Sequence, residues 1–192
     1  MIYIMRHGET NFNVEKRVQG HSNNPLSENG VQQAKDAIAK LKTLPIKAII
    51  CSDTYRAKQT AEIVNAELKL PITYDKRLRE IGGGEFEGML RSDVPKEALE
   101  NPNKFGAESP RDVFTRMKSF FDELKKNKVD KVLIISHGYA LNCALRVLNE
   151  PNLKMETIPT HKAYDRENPI PNFYEFKNAE VMEIDLYKGG DK

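Results

Sequence analysis

Apolar positions along this chain fall alternately into short continuous runs and into stripes at helical spacing. Ile2-Tyr3-Ile4-Met5, Ala48-Ile49-Ile50-Cys51 and Val132-Leu133-Ile134-Ile135 are continuous runs of strand length, and Pro71-Ile72-Thr73-Tyr74 is a shorter one. Strands that are apolar at every position are covered on both faces. Between them lie amphipathic stretches. Ser27 is a predicted N-cap, with Gly30 at N3, for a helix carrying Val31, Ala34, Ala37, Ile38 and Leu41. Pro45 ends that region. Ser52-Asp53 is predicted to cap a helix with Ala57, Ala61, Val64 and Leu68 on its apolar side. Pro110 suits a first helical position, and the pattern predicts a helix from about there to Lys126 burying Val113, Met117, Phe120, Phe121 and Leu124. Ala140 to Leu148 reads as a further apolar helix. The tail alternates around Lys177-Asn178, with Val181, Met182, Ile184 and Leu186 in the second arm of a predicted closing hairpin.

This order of elements predicts an α/β fold, a three-layer α/β/α sandwich. Its sheet is mainly parallel, with an antiparallel edge from the C-terminal hairpin. The length of 192 residues suits one domain, 1–192. The glycine- and proline-rich stretch from Leu78 to Ser109 has room for one short helix, Val94 to Glu100, and residues 89–107 read as a short lid over a site rather than a linker. Charge narrows the partners. With 30 basic and 28 acidic residues the net charge is +2, which argues against a nucleic-acid binder. No run approaches the roughly 18 apolar residues needed to cross a bilayer, so no membrane partner is expected. The N-terminus enters a strand directly, without the marks of a secretion signal, and Cys51 and Cys143 sit in apolar stretches as reduced packing residues. A cytoplasmic protein is the expectation, monomeric or homodimeric.

Candidate chemistry sits at the strand ends. Arg6-His7-Gly8-Glu9-Thr10 comes after the first strand, Ser136-His137-Gly138 after the Val132 run, and Arg56 lies early in the helix after the Ala48 run. Parallel strands open on one edge of a sheet, where ligands bind, so Arg6, His7, Arg56 and His137 are expected to converge. Four potential cations around one point call for a multiply charged anion, and a phosphate monoester fits best. His21 and His161 lie in polar loops and are expected to be solvated. With no close histidine pair and no cysteine cluster, a metal site is not expected.

These residues also carry a resemblance. Arg6-His7-Gly8-Glu9-Thr10 with Asn13, Gln19-Gly20, Pro25-Leu26-Ser27 with Gly30, Ser52-Asp53, Arg56-Ala57 and Gln59-Thr60-Ala61 form its first half. Leu78-Arg79-Glu80-Ile81, Glu87-Gly88, Glu108-Ser109, Ser136-His137-Gly138 and Asn172 form the second. Together they make the chain resemble the histidine phosphatase superfamily, in the branch of cofactor-dependent phosphoglycerate mutases and many small phosphatases. The resemblance implies a phosphoglycerate mutase-like fold and a phosphohistidine intermediate on His7. A backbone carbonyl would hold the other ring nitrogen of His7. Arg6, Arg56 and His137 would bind the transferring group, and Glu80 would serve as acid and then base. Asn13, Gln19, Gly20 and Gly138 are implied as supporting phosphate contacts, with no cofactor and no metal.

The chain departs from the family pattern in places. Asn23 stands where Asp is frequent, Tyr139 replaces a second glycine, and an arginine often found near Asn142 is absent. The substrate is therefore expected to be a small phosphorylated metabolite of unspecified identity, with hydrolysis as the reaction. The alternatives are a mutase-type phosphotransferase, which would need a longer closing lid, and a catalytically silent phosphate-binding regulatory module. Thr157 to Pro171, with His161, Lys162, Tyr164 and Arg166, reads as a surface loop or an overhang of the site.

Overall fold

A computed structural model describes residues 1–150, 152–158 and 174–187. The sheet has five strands: β1 (Ile2–Arg6), β2 (Ala48–Cys51), β3 (Ile72–Tyr74), β4 (Val132–Ser136) and β5 (Val181–Ile184). Their order is β3-β2-β4-β1-β5, every pair parallel except β1 with β5. The antiparallel edge expected from the tail is thus present. Its partner is β1 itself, and residues 174–177 carry no strand. The reason lies in what those residues bind: Tyr174 and Phe176 give their carbonyls to Asn142 and Arg6 instead of to a neighbouring strand.

Helices cover both faces. The short α1 (Asn11–Val14) precedes α2 (Glu28–Lys42) and α3 (Tyr55–Leu68), and these last two pack on one face over Tyr3, Met5, Ile49, Leu133 and Ile135. After the five-residue α4 (Lys96–Glu100), α5 (Pro110–Lys126) and α6 (Gly138–Asn149) cover the other face over Ile2, Ile4, Val132 and Ile134. Alternate residues of the same strand therefore feed two different cores, as the period of a strand requires. Pro110 is indeed the first residue of α5, whose N-cap Ser109 accepts from Asp112 N. The buried face of α5 gains Phe114 beyond the expected set.

Local expectations were met unevenly. Ser27 caps α2, accepting from Gly30 N at 3.0 Å. Ser52-Asp53 does not cap α3. The N-cap position is Thr54, no side chain closes the cap, and Ser52 and Asp53 are drawn away by His137 and Arg79. The helix expected from Val94 begins at Lys96. Residues 89–107 form short helical turns around Val94, Ala98, Leu99 and Phe105, packed against Val18 and Phe86. Asn172 and the segment beyond Ile158, with His161, Lys162, Tyr164 and Arg166, lie outside the described residues. Among the described residues no helix is long and apolar enough to cross a membrane.

Candidate active site

The two histidines expected to meet do so because β1 and β4 are adjacent and in register. Arg6 pairs with Ser136, so His7 and His137 each stand one residue beyond matched strand ends. Their ring centroids are 5.0 Å apart. His7 N continues the ladder onto Ser136 O at 3.0 Å, and Asn178 Nδ2 donates to His7 O at 3.0 Å. The loop after His7 lies directly on the start of α2. A Cβ at Gly8 would run into the Gly30 carbonyl and one at Gly30 into the Glu9 carbonyl, so both positions need glycine. Thr60 Oγ1 accepts from Gly8 N at 3.1 Å and Glu9 N donates to Gln33 at 2.9 Å, which ties the same loop to α3 and α2.

This setting fixes the tautomer of His7. Nδ1 lies 2.6 Å from the Gly8 carbonyl, which can only accept, so Nδ1 carries the proton. Nε2 is left with its lone pair and accepts from Arg56 Nε at 3.3 Å. His7 is 2% exposed, and burial, then Arg56 and Arg6, hold its pKa well below the ordinary 6.5. His137 is fully buried and is held low in the same direction by burial and by Arg56. Its Nε2 lies 2.9 Å from Ser52 Oγ and 3.2 Å from Thr54 Oγ1.

Two histidines are therefore neutral, and the positive charge comes from arginines. This corrects the picture of four converging cations. The reason is desolvation, which disfavours an imidazolium packed beside two guanidinium groups. Arg56 is buried in α3, with its pKa drawn down by burial to about 10 against the opposing pull of Glu80 and Glu87, so it remains charged at neutral pH. Its Nη2 donates to Gly20 O at 2.8 Å and its Nη1 to Ser22 O at 3.2 Å. Gly20 adopts a φ of +49° and packs on Glu87, leaving no room for a side chain. Arg6 Nη1 donates to Phe176 O at 2.6 Å. Arg6 Nε and His137 Nδ1, however, are buried with no hydrogen-bond partner among the described residues. Buried polar atoms are rarely left so.

Other expected residues take supporting places. Glu80 accepts from Ile81 N (3.1 Å), Ala140 N (3.1 Å) and Tyr139 N (3.3 Å), at the N-terminal turn of α6. It is also the leading opposite charge acting on both Arg6 and Arg56. Asn13 and Gln19 are turned onto Thr10: the Asn13 Oδ1 accepts from Thr10 N at 3.1 Å, and the Gln19 Oε1 from Thr10 Oγ1 at 2.9 Å. Gly138 opens α6 beside Arg6. Several participants had no chemistry assigned from spacing: Ser52, Thr54, Thr60, Arg116 and His21. His21 is no solvated loop residue, because its Nε2 sits 2.9 Å from Glu80 O and 3.6 Å from Glu108 Oε2. Glu108 itself is held down to about 2: burial opposes its ionisation, but His21, Arg116 and Gly82 N–H outweigh that.

The neutral pair has a consequence for stability. Unfolding returns both imidazoles to their ordinary pKa of 6.5, so below that pH the unfolded chain binds protons that the folded chain refuses. Stability is expected to fall as pH drops through 6.5, read as a melting temperature that declines between about pH 7.5 and 5.5. The depressed carboxylates Glu108 and Asp53 act only below their ordinary 4.5 and 3.8, outside this window. A flat profile across it would contradict neutral buried imidazoles.

The sheet is covered on both faces, and its adjacent strand ends bring together His7, His137 and the charges of Arg6 and Arg56. The chain belongs to the histidine phosphatase superfamily (branch 1), whose family model matches residues 2–164. The probable phosphoglycerate mutase GpmB of Salmonella paratyphi A is 33% identical over 158 residues, covering 77% of this chain and 74% of that relative. YhfR of Bacillus stearothermophilus aligns over 96% of this chain and 91% of its own, at 28% identity and a TM-score of 0.72. A mycobacterial glucosyl-3-phosphoglycerate phosphatase in complex with VO3 aligns over 80% of this chain and 85% of its own, at 29% identity and a TM-score of 0.66.

Proposed function

We propose that the chain is a metal-independent phosphatase that hydrolyses a small phosphomonoester through a phosphohistidine on His7. The observation that carries this reading is two buried polar atoms without a hydrogen-bond partner among the described residues, Arg6 Nε and His137 Nδ1, at the two matched strand ends where His7 Nε2 keeps its lone pair. A phosphoryl group bound there would accept from Arg6 Nε–H, and from His137 Nδ1–H in the tautomer whose Nε2 accepts from the Ser52 or Thr54 hydroxyl, and would put phosphorus in front of His7 Nε2. Arg56 Nε, which donates to Nε2, would turn its hydrogen bond onto the same oxygens.

In the first step the Nε2 lone pair attacks phosphorus and the bond to the ester oxygen breaks. The departing alkoxide takes a proton from the Glu80 carboxyl. In the second, the Glu80 carboxylate takes a proton from water as that water attacks phosphorus. The P–N bond breaks and its electrons return to Nε2. The sum is ester plus water giving alcohol plus phosphate. Arg6, Arg56 and His137 stabilise charge on the transferring oxygens throughout. Among the described residues no three His, Cys, Asp or Glu side chains are grouped to hold a metal ion, and the two arginines supply the positive charge.

The name of the GpmB relative suggests the alternative of mutase-type transfer, whereas that of the mycobacterial neighbour suggests hydrolysis. Hydrolysis is the better reading because residues 89–107, the segment read as a lid, are short and pack into a small apolar cluster with Val18 and Phe86. The test is turnover of an alkyl phosphate and of p-nitrophenyl phosphate in EDTA. Both are expected to be hydrolysed. Glu80→Gln is expected to lose on the order of 10²-fold or more on the alkyl substrate and much less on the nitrophenyl one, whose leaving group needs no proton. Loss of activity in EDTA, or equal losses on the two substrates, would refute the respective parts of this reading. Substrate identity is then read from a panel of phosphorylated metabolites that includes 3-phosphoglycerate.

A further inference from the structure

Arg116 stands on α5, and its guanidinium is shared between the loop that carries Glu80 and the carboxylate of Glu108. Nη1 donates to Arg77 O at 2.7 Å and to Arg79 O at 2.6 Å, and Nη2 donates to Glu80 O at 3.0 Å. Nε and Nη2 also reach the two oxygens of Glu108, each at 2.8 Å. All five guanidinium N–H donors are thereby used. Glu108 Oε2 in turn accepts from Gly82 N at 2.8 Å, and His21 Nε2 approaches the Glu80 carbonyl from the loop that holds Arg56, at 2.9 Å.

Three of these donors go to carbonyls spread over four residues of one loop, so the guanidinium holds that loop's backbone as well as the ion pair. The backbone before, at and after Glu80 is fixed, so only the rotations of its own side chain remain to aim the carboxyl group. That group then rests on the N–H groups of Tyr139 and Ala140, at the start of the helix just after His137. We infer that Arg116, braced by Glu108, is a positioning residue that sets Glu80 against the leaving oxygen of the substrate. The inference rests on Glu80 being the proton donor.

The test compares kcat and KM of the wild type, Arg116→Gln, Glu80→Gln and the double variant on an alkyl phosphate and on p-nitrophenyl phosphate. A misplacement near 1 Å costs about 10²-fold, so Arg116→Gln is expected to lose on the order of 10² in kcat on the alkyl substrate, with KM nearly unchanged and far less loss on the nitrophenyl one. In the Glu80→Gln background the same change adds little. Arg116→Lys recovers only part of the rate, since one ammonium cannot span carbonyls and a carboxylate together. Equal losses on both substrates in Arg116→Gln, or full additivity with Glu80→Gln, overturn the inference and leave the role of Glu80 intact. Equal losses in Glu80→Gln itself remove that role, and the inference with it. Should Arg116→Gln not fold, Glu108→Gln takes its place, because it keeps the shape and releases the ion pair. It is expected to show the same substrate-selective loss, and an unselective loss there overturns the inference equally.

Discussion

Replacing His7 with alanine is expected to abolish turnover and to eliminate any covalent phosphoryl adduct. The Gly8 carbonyl fixes the His7 proton on Nδ1 and leaves Nε2 with its lone pair, whereas His137 Nε2 is engaged by Ser52 and Thr54. Cys51 and Cys143, the alternative soft nucleophiles, are buried thiols, both with pKa values pushed up by desolvation. Rapid quenching of the wild type with labelled substrate should trap an adduct that is labile in acid and stable in base, as a phosphoramidate is. An adduct retained in His7→Ala would transfer the nucleophile elsewhere and overturn the proposed mechanism at its first step. Because His7 holds the loop through backbone atoms, its side chain can be removed with little disturbance of β1.

The second large effect is expected at Arg56. Loss of one donor to a transferring group costs roughly 10²–10³ in rate. Arg56→Ala compounds this by leaving the Gly20 and Ser22 carbonyls without their donors, so Arg56→Lys is the cleaner variant. Lysine keeps the charge but has no fork that can grip two carbonyls and still direct a third donor at Nε2. Its kcat is expected to remain near the level of the alanine variant, with a melting temperature closer to wild type. Near-normal turnover in Arg56→Lys would mean that charge alone suffices and that the fork is not used.

Both side chains were legible in the sequence for one reason. Each comes shortly after a continuous apolar run, and such runs deliver the next residues to the open edge of a parallel sheet. β4 and α5 were legible too, from the all-apolar strand and from Pro110 at N1 behind Ser109. The carbonyl expected at the His7 ring is that of Gly8, but the side chains held by the carbonyls of the Glu80 loop escaped. Arg116 and His21 bond to the backbone of residues 77–80, and no side-chain spacing announces a carbonyl as the partner. Ser52 misled for a related reason. A serine before a helix reads as a cap, but this hydroxyl is claimed by an imidazole 85 positions away, a tertiary demand stronger than the local one. The charge state of the histidines was equally invisible, because it depends on burial and not on residue type.

The register of β1 against β4 carries a further consequence, one for folding. His7 and His137 face each other only because Tyr3 to Arg6 lie opposite Leu133 to Ser136. Side chains alternate across a strand, so a slip by one residue would exchange the two cores and part the two imidazoles together. The pairing also joins segments far apart in sequence, and such pairings form late because loop closure must come first. The two imidazoles therefore come together only once this strand pair has closed in register. During refolding, recovery of activity should report the closing of the central strand pair, lagging behind the helix signal of the locally formed α2 and α5.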